Sequence, residues 1–150
     1  MDIVLDSIEH KQVIGLLEEH LADMYATSPP ESVHALDLTE LKQPNISFYT
    51  GWEQEQLMGC AAIKEINSTH AEIKTMRTTQ LARKKGIASK MLTHLISVAK
   101  ERGYTKLSLE TGVEDYFAPA RKLYEKFGFL YCDPFADYKP DPNSKFMTLE

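Results

Sequence analysis

Cysteine is nearly absent: Cys60 and Cys132 are the only two in 150 residues, which excludes a disulfide framework and a four-cysteine zinc site. Glycine and proline are sparse at seven each, too few for a linker or a fibre. No apolar run approaches the roughly 20 residues that a membrane helix requires. The start, Met1-Asp2-Ile3, lacks the basic residues and long apolar stretch of a signal peptide. Five histidines are scattered with no HExxH and no Cys/His clustering, so no metal is expected. Also missing are the G-x-x-x-x-G-K-[ST] loop and the G-x-G-x-x-G turn, which disfavours ordinary nucleoside triphosphates and dinucleotides. What remains is 43% hydrophobic and 26% charged. That composition predicts one folded domain over residues 1–150, able to bury a core unaided and cytoplasmic in location.

Charge is unevenly placed. Against a net charge of −5, residues 1–70 carry three Lys/Arg and twelve Asp/Glu, while residues 71–106 carry nine and two. Residues 107–150 carry five and eight. On charge alone a basic island between acidic flanks reads first as a lysine-rich solvated helix face; it could also hold a compact polyanion, whereas an overall acidic chain is a poor candidate for broad nucleic-acid binding. The island also lacks the interleaved aromatics of a single-strand binder, so neither nucleic acid nor membrane is an expected partner.

Periodicity sets the elements. Ile8, Leu16, Leu17, Leu21 and Met24 predict a helix starting from Asp6 or Ser7 and reaching about Tyr25. Val33, Leu36 and Leu41 suggest a shorter one. Strands are expected at Ile46–Gly51, Leu57–Ile66 and His70–Thr78, the second rich in small apolar residues as a doubly covered strand would be. Ile87, Met91, Leu92, Leu95, Val98 and Ala99 make one stripe over Gly86–Arg102, and Gly103 stands where that helix ends. There follow a strand Thr105–Glu110, a helix Tyr116–Phe127 stopped by Gly128, and strands near Phe129–Tyr131 and Lys145–Leu149. The order predicts an α/β chain of α+β type. Its mixed, largely antiparallel sheet would have six to seven strands, with about four helices on both faces.

Two motifs carry chemistry. Arg83-Lys84-Lys85-Gly86-Ile87-Ala88 joins a strand to the best helix. A helix start offers unpaired N–H groups and partial positive charge, Gly86 admits close approach, and the basic residues attract an anion. One β–α unit later, Leu123-Tyr124-Glu125-Lys126-Phe127-Gly128-Phe129 closes a helix. On these two segments the chain resembles the GNAT superfamily of N-acetyltransferases. The first matches the family's [RQ]-x-x-G-x-[GA] pyrophosphate loop and the second the segment carrying its tyrosine acid. The tail Tyr138–Met147 is similar to a bacterial subgroup whose acceptors are mostly unassigned.

The resemblance implies acetyl-CoA as co-substrate and an amine acceptor. It places the diphosphate on Arg83, Lys84, Lys85, Gly86, Ile87, Ala88 and Ser89, the thioester carbonyl on the Met76 backbone N–H, and the pantetheine arm on Thr78. Tyr124 becomes the general acid for the leaving thiolate. Glu72 is the first choice of base: it matches the glutamate of the family's histone-acetylating members, and, four residues before Met76, it is expected on the same strand face. Glu110 is the runner-up. The family's asparagine seven residues before the tyrosine is Phe117 here. The acceptor cleft would lie among the first helices and final strands, with His34, Asp37, Tyr49, Trp52 and Tyr138 as candidate lining and an acidic mouth drawing a cationic amine. Neither cysteine has a histidine partner in sequence, so direct transfer in a ternary complex is expected. Exposed strand edges could pair two copies as a homodimer. The rival readings are a non-catalytic acyl-CoA sensor of the same fold and, lower, a nucleic-acid binder.

Overall fold

The computed structural model describes residues 1–34 and 37–150. Seven strands form one sheet: β1 (Asp2–Leu5), β2 (Ile46–Glu53), β3 (Gln56–Asn67), β4 (His70–Thr78), β5 (Lys106–Gly112), β6 (Leu130–Cys132) and β7 (Ser144–Leu149). Their spatial order is β1-β2-β3-β4-β5-β7-β6. Every neighbouring pair is antiparallel except β4 and β5. Among the described residues four α-helices accompany the sheet: α1 (Lys11–Thr27), α2 (Leu38–Leu41), α3 (Ile87–Glu101) and α4 (Ala118–Lys126).

Alternation along the strands sorts the core into two layers. Phe48, Leu57, Cys60 and Ala62 pack with Val13, Leu16 and Leu17 of α1 and Leu41 of α2. Tyr49, Met58, Ala61, Ile63, Ala71 and Ile73 face the other way, onto α3 and Tyr124 of α4. Adjacent strand residues thus enter opposite layers, as the two-residue period requires. The α3 stripe predicted from sequence is buried in full. Burying each of its Leu and Ile side chains contributes about 1.5–3 kcal/mol before the entropy cost of ordering them.

Three departures from the sequence reading have local causes. β1 was not expected, because four residues at a terminus carry too little periodicity; it pairs with β2 from Asp2↔Trp52 to Leu5↔Tyr49. α1 starts at Lys11, not Asp6 or Ser7, because Ile8 sits at φ 62 and its N–H donates to the Asp6 carboxylate. That turn blocks propagation, and the His10 imidazole accepts from Gln12 N–H as the cap instead. The segment after the prolines forms a 3₁₀ turn, Pro30–Ser32, and then α2, whose Asp37 and Glu40 make a reciprocal capping box. Leu36 of the expected shorter helix lies outside the described residues.

Candidate active site

The parallel pair β4–β5 is joined at only three positions, His70↔Lys106, Ala71↔Leu107 and Glu72↔Ser108. Beyond them the strands part. β4 stays paired with β3 as far as Thr78, while β5 keeps its pairing with β7, on its other edge, from Leu107 to Gly112. The β5-facing edge of Ile73–Thr78 therefore has no strand partner. Its amides and carbonyls are open to a ligand that offers a peptide-like backbone.

A bulge shapes this fork. Register passes from Ala62↔Lys74 to Cys60↔Arg77, so β4 advances three residues where β3 advances two, and the extra residue centres on Thr75 at φ 54. A β-branched residue in the left-handed region stores about 1–3 kcal/mol of strain. The extra residue also reverses side-chain parity. Ala71 and Ile73 face α3, and so does Met76. Glu72 and Lys74 face the α1 layer, where Arg77 also reaches Glu19 and Asp23 of α1. The expectation that Glu72 and Met76 share a face is therefore corrected: the bulge puts them on opposite sides of the sheet.

On the α3 side, Tyr124 is buried, with its hydroxyl 3.7 Å from Met76 Sδ. Burial pushes its phenol up to about 12. Phe117, where the family carries asparagine, ends a 3₁₀ turn (Asp115–Phe117). Its ring covers Gly112 so closely that a Cβ there would sit 2.4 Å from the ring. The Phe117 position therefore presents apolar surface at the end of β5. Arg121 Nη1 donates to the carbonyls of Gly112 and Glu114 and pins α4 to that end.

The loop before α3 has the geometry of an anion cradle. Gly86 is the cap residue at φ 76, Lys84 sits at φ 65, and no side chain caps the helix. Arg83, Lys84, Lys85 and Gly86 are exposed and Ala88 and Ser89 half-buried, while the Ile87 side chain is anchored in the core. The uncapped first turn faces solvent with three cations beside it, so the residues present suit a diphosphate.

On the α1 side, charged residues are unusually buried. Glu72 is 2% exposed and Lys74 9%. Tyr138 donates its hydroxyl proton to Glu72 and accepts from Lys74 Nζ at 2.8 Å, while Lys74 also donates to the His34 carbonyl. Burial raises the Tyr138 phenol above its ordinary range, and Glu72 adds to the rise. Ser32 donates to Asp141, tying the final loop to the turn after α1. Glu110 lies two residues past the last β4–β5 pair on this same face, since Leu107 and Leu109 point to α3. Burial pushes its carboxyl up to about 7; Ser144 and Lys74 oppose the rise, and Glu72 and Asp141 add to it.

Of the expected cleft residues, His34 and Tyr138 come together here, stacked edge to face. Asp37 is occupied in capping α2. Tyr49 faces α3, against His94 and Arg102. Trp52 packs on His10, away from the fork. Part of the acidic surplus is already paired, because the partly exposed Glu19 and Asp23 engage Arg77. Sequence reasoning missed Lys74, Arg77 and His20. The available signal was Glu72-x-Lys74-x-x-Arg77 within one central strand, where buried charges must find partners.

Comparison with known proteins agrees with this architecture. The acetyltransferase (GNAT) family model matches residues 13–129. The chain belongs to the GNAT family of acetyltransferases. Among its relatives, the uncharacterized N-acetyltransferase YsnE of Bacillus subtilis is 53% identical over 148 residues, covering 99% of this chain and 98% of the relative. An IAA acetyltransferase of Azospirillum brasilense is 38% identical over 137 residues, covering 91% and 86%. A GNAT family acetyltransferase of Elizabethkingia anophelis with acetyl-CoA bound superposes with a TM-score of 0.68 at 20% identity, over 99% of this chain and 97% of that one. The GNAT sheet order, the fork and the loop before α3 are thus features of this chain's own fold. No helix among the described residues is long and apolar enough to cross a membrane.

Proposed function

We propose that this GNAT acetyltransferase moves the acetyl group of acetyl-CoA directly onto a primary amine of a small molecule or peptide, in the cytoplasm and without a metal. The observation that carries the reading is the fork: a bare strand edge leads from an uncapped, cation-flanked helix start to a buried tyrosine. Amides of Gly86 to Ser89, with Arg83, Lys84 and Lys85, hold the diphosphate. The Thr78 backbone pairs with the pantetheine amides, and the Met76 N–H takes the thioester carbonyl, polarising it toward attack.

The amine arrives from the α1 side as an ammonium and must lose a proton before it can attack. Glu72, the first choice from sequence, is sealed beneath Tyr138 and Lys74. Glu110 is the freer carboxylate. With a proton affinity near neutrality, it accepts the ammonium proton; Glu72 positions Lys74 and Tyr138. The amine nitrogen then bonds to the carbonyl carbon, and collapse of the tetrahedral intermediate breaks the C–S bond while the nitrogen sheds its second proton, which replaces through solvent the one Tyr124 gives up. Tyr124 gives its proton to the departing sulfur from the α3 side. The burial that raises this phenol raises the thiolate's proton affinity in the same place, so the two remain matched. Acid and base thereby work on opposite faces of one sheet, separated by the Thr75 bulge.

Cys60 supports direct transfer: its thiol is fully buried and pushed up to about 12 by that burial, which leaves no thiolate to carry an acyl group. Homodimer formation fits the two sheet edges, where Leu5 of β1 and Leu130 of β6 are exposed. The test follows thiol release from acetyl-CoA across an amine panel, with IAA, the compound in the Azospirillum relative's name, assayed separately. Tyr124→Phe is run alongside wild type. Turnover should fall about 10²–10⁴-fold while acetyl-CoA binding is retained. Unchanged turnover under conditions where chemistry limits the rate would remove Tyr124 as the acid. Tight acetyl-CoA binding with no thiol release from any amine would favour the sensor reading.

A further inference from the structure

We propose that the loop between β6 and β7, residues 133–143, is a lid over the acceptor side of the fork, with the Tyr138 hydroxyl as its latch. This rests on the acetyltransferase reading above for what passes beneath the lid, and adds how the acceptor gains entry.

The loop lies lightly on the molecule. None of residues 133–143 is fully buried. Its backbone–backbone hydrogen bonds stay local, from Tyr138 N–H to the Phe135 carbonyl and from Ser144 N–H to the Asp141 carbonyl. Among the described residues none reaches a more distant part of the fold. Ala136 holds the tip at φ 51, in the left-handed region that residues with a side chain seldom adopt. Few backbone anchors and shallow packing place a segment at the low end of local stability.

What lies beneath is deep. Glu72 is 2% exposed, Ser108 1% and Lys74 9%. Side chains alone close the loop over them. The Tyr138 hydroxyl donates to Glu72 and accepts from Lys74. Its ring packs on His34 and Phe146, while Phe135 packs on His70 and Phe146. At the loop's far end Ser32 donates to Asp141 at 2.7 Å, and Asn143 reaches Ser32 at 3.4 Å. With the loop closed, Tyr138 occupies the position on Glu72 that an incoming donor would need.

The latch is built to release. Lys74 Nζ donates to the His34 carbonyl at 2.8 Å and lies 3.5 Å from the Glu72 carboxylate. Neither contact involves the loop. When Tyr138 withdraws, the two charged groups keep each other, so opening leaves no charge alone. Apolar residues of similar size would avoid the cost of burying such a pair. Polar contacts that water can replace suit a closure that must break and re-form. Opening bares the Glu72 carboxylate, whose field draws an ammonium toward Glu110 on the same face of the neighbouring strand.

The experiment labels the free protein briefly with N-hydroxysuccinimidyl acetate and reads Lys74 by mass spectrometry. Labelling of the fully buried Cys60 thiol with N-ethylmaleimide gauges opening of the whole fold. Tyr138→Phe keeps the ring and removes both hydroxyl bonds. Lys74 should then label about tenfold faster, while Cys60 stays at the wild-type rate. Ser32→Ala, which cuts the outer tether and leaves Tyr138 intact, should also speed Lys74 labelling, and it serves if Tyr138→Phe does not fold. On the best amine of the panel, Tyr138→Phe should lower the acceptor KM about fivefold with kcat within about twofold, because apparent affinity scales with the open fraction. The acetyl-CoA dissociation constant should not change. Lys74 labelling at the wild-type rate in the folded variant overturns the lid. So does a rise that Cys60 shares, which marks loosening of the whole fold. An acceptor KM that holds or rises while Lys74 labels faster takes the loop off the acceptor's path and also overturns the proposal. If wild type turns over no amine, the acetyltransferase reading falls instead, and Lys74 labelling still decides the lid.

Discussion

Replacing Glu110 with glutamine should stabilise the protein in a way that depends on pH. The carboxyl of Glu110 is raised from 4.5 to about 7, chiefly by burial. A group whose folded-state proton affinity is raised favours the folded state fully below its unfolded value, and that contribution is lost as pH climbs through the folded value. The loss therefore accumulates between about pH 4.5 and 7 and is complete above it. At roughly 1.36 kcal/mol per pH unit the difference comes to about 3 kcal/mol, or about 2 once solvent reaching the half-buried side chain is allowed for. Glutamine keeps the shape and never ionises. Urea unfolding of both proteins from pH 4 to 8.5 should show near-equal stability at the acid end and a glutamine advantage of about 2 kcal/mol at the alkaline end. A difference that does not change with pH, or that grows toward acid, would refute the argument. On the proposed mechanism the same variant should also lose most of its turnover, because a carboxylate there would be retained, despite its cost, to deprotonate an ammonium.

Three further outcomes follow from the same geometry. In wild type, kcat/KM should rise with an apparent pKa near 7, and in Glu110→Gln that rise should vanish; a rise that persists assigns the base elsewhere. Gly86→Ala should cost about 1 kcal/mol in unfolding experiments because φ is 76 at that cap, and calorimetry should find acetyl-CoA binding weakened as the loop relaxes. Cys60→Ala should retain turnover within about twofold while losing about 1 kcal/mol of stability, since the thiol is fully buried and packs as a small apolar group. Loss of activity there would reopen the covalent route.

Sequence made much of this legible where local rules coincide with the global fold. α3 is readable because its stripe, its starting Gly86 and its stopping Gly103 all agree, and the helix occupies Ile87–Glu101. The segments Arg83–Ala88 and Leu123–Phe129 stand out in the sequence as an ordered pair of motifs around that helix, and the family they resemble is the one whose model matches. What stayed hidden depends on backbone states that residue identity does not announce. Thr75 is a strand former, yet it sits at φ 54 because flanking strands hold it there, and the parity of everything after it changes. Counting by twos from Glu72 to Met76 fails at that one residue. Ile8, also at positive φ, delays α1 for a similar reason. His20 reads as one more residue of an amphipathic helix; only the tertiary fold puts it over Arg77 and Lys74, whose charges and burial hold it neutral. Asp37 and Trp52 carry side chains suited to a cleft, but capping and edge packing claim them first.

The account turns on the fork between β4 and β5 being the place where acetyl-CoA enters and reacts. A crystal structure with coenzyme A bound tests this most directly. The account predicts the diphosphate against the amides of Gly86 to Ser89 and the sulfur within hydrogen-bond reach of the Tyr124 hydroxyl, on the Met76 side of the sheet. A coenzyme lodged instead in the hollow bounded by Met1, Trp52, Leu81 and Lys85, or a sulfur on the Glu72 face, would contradict it.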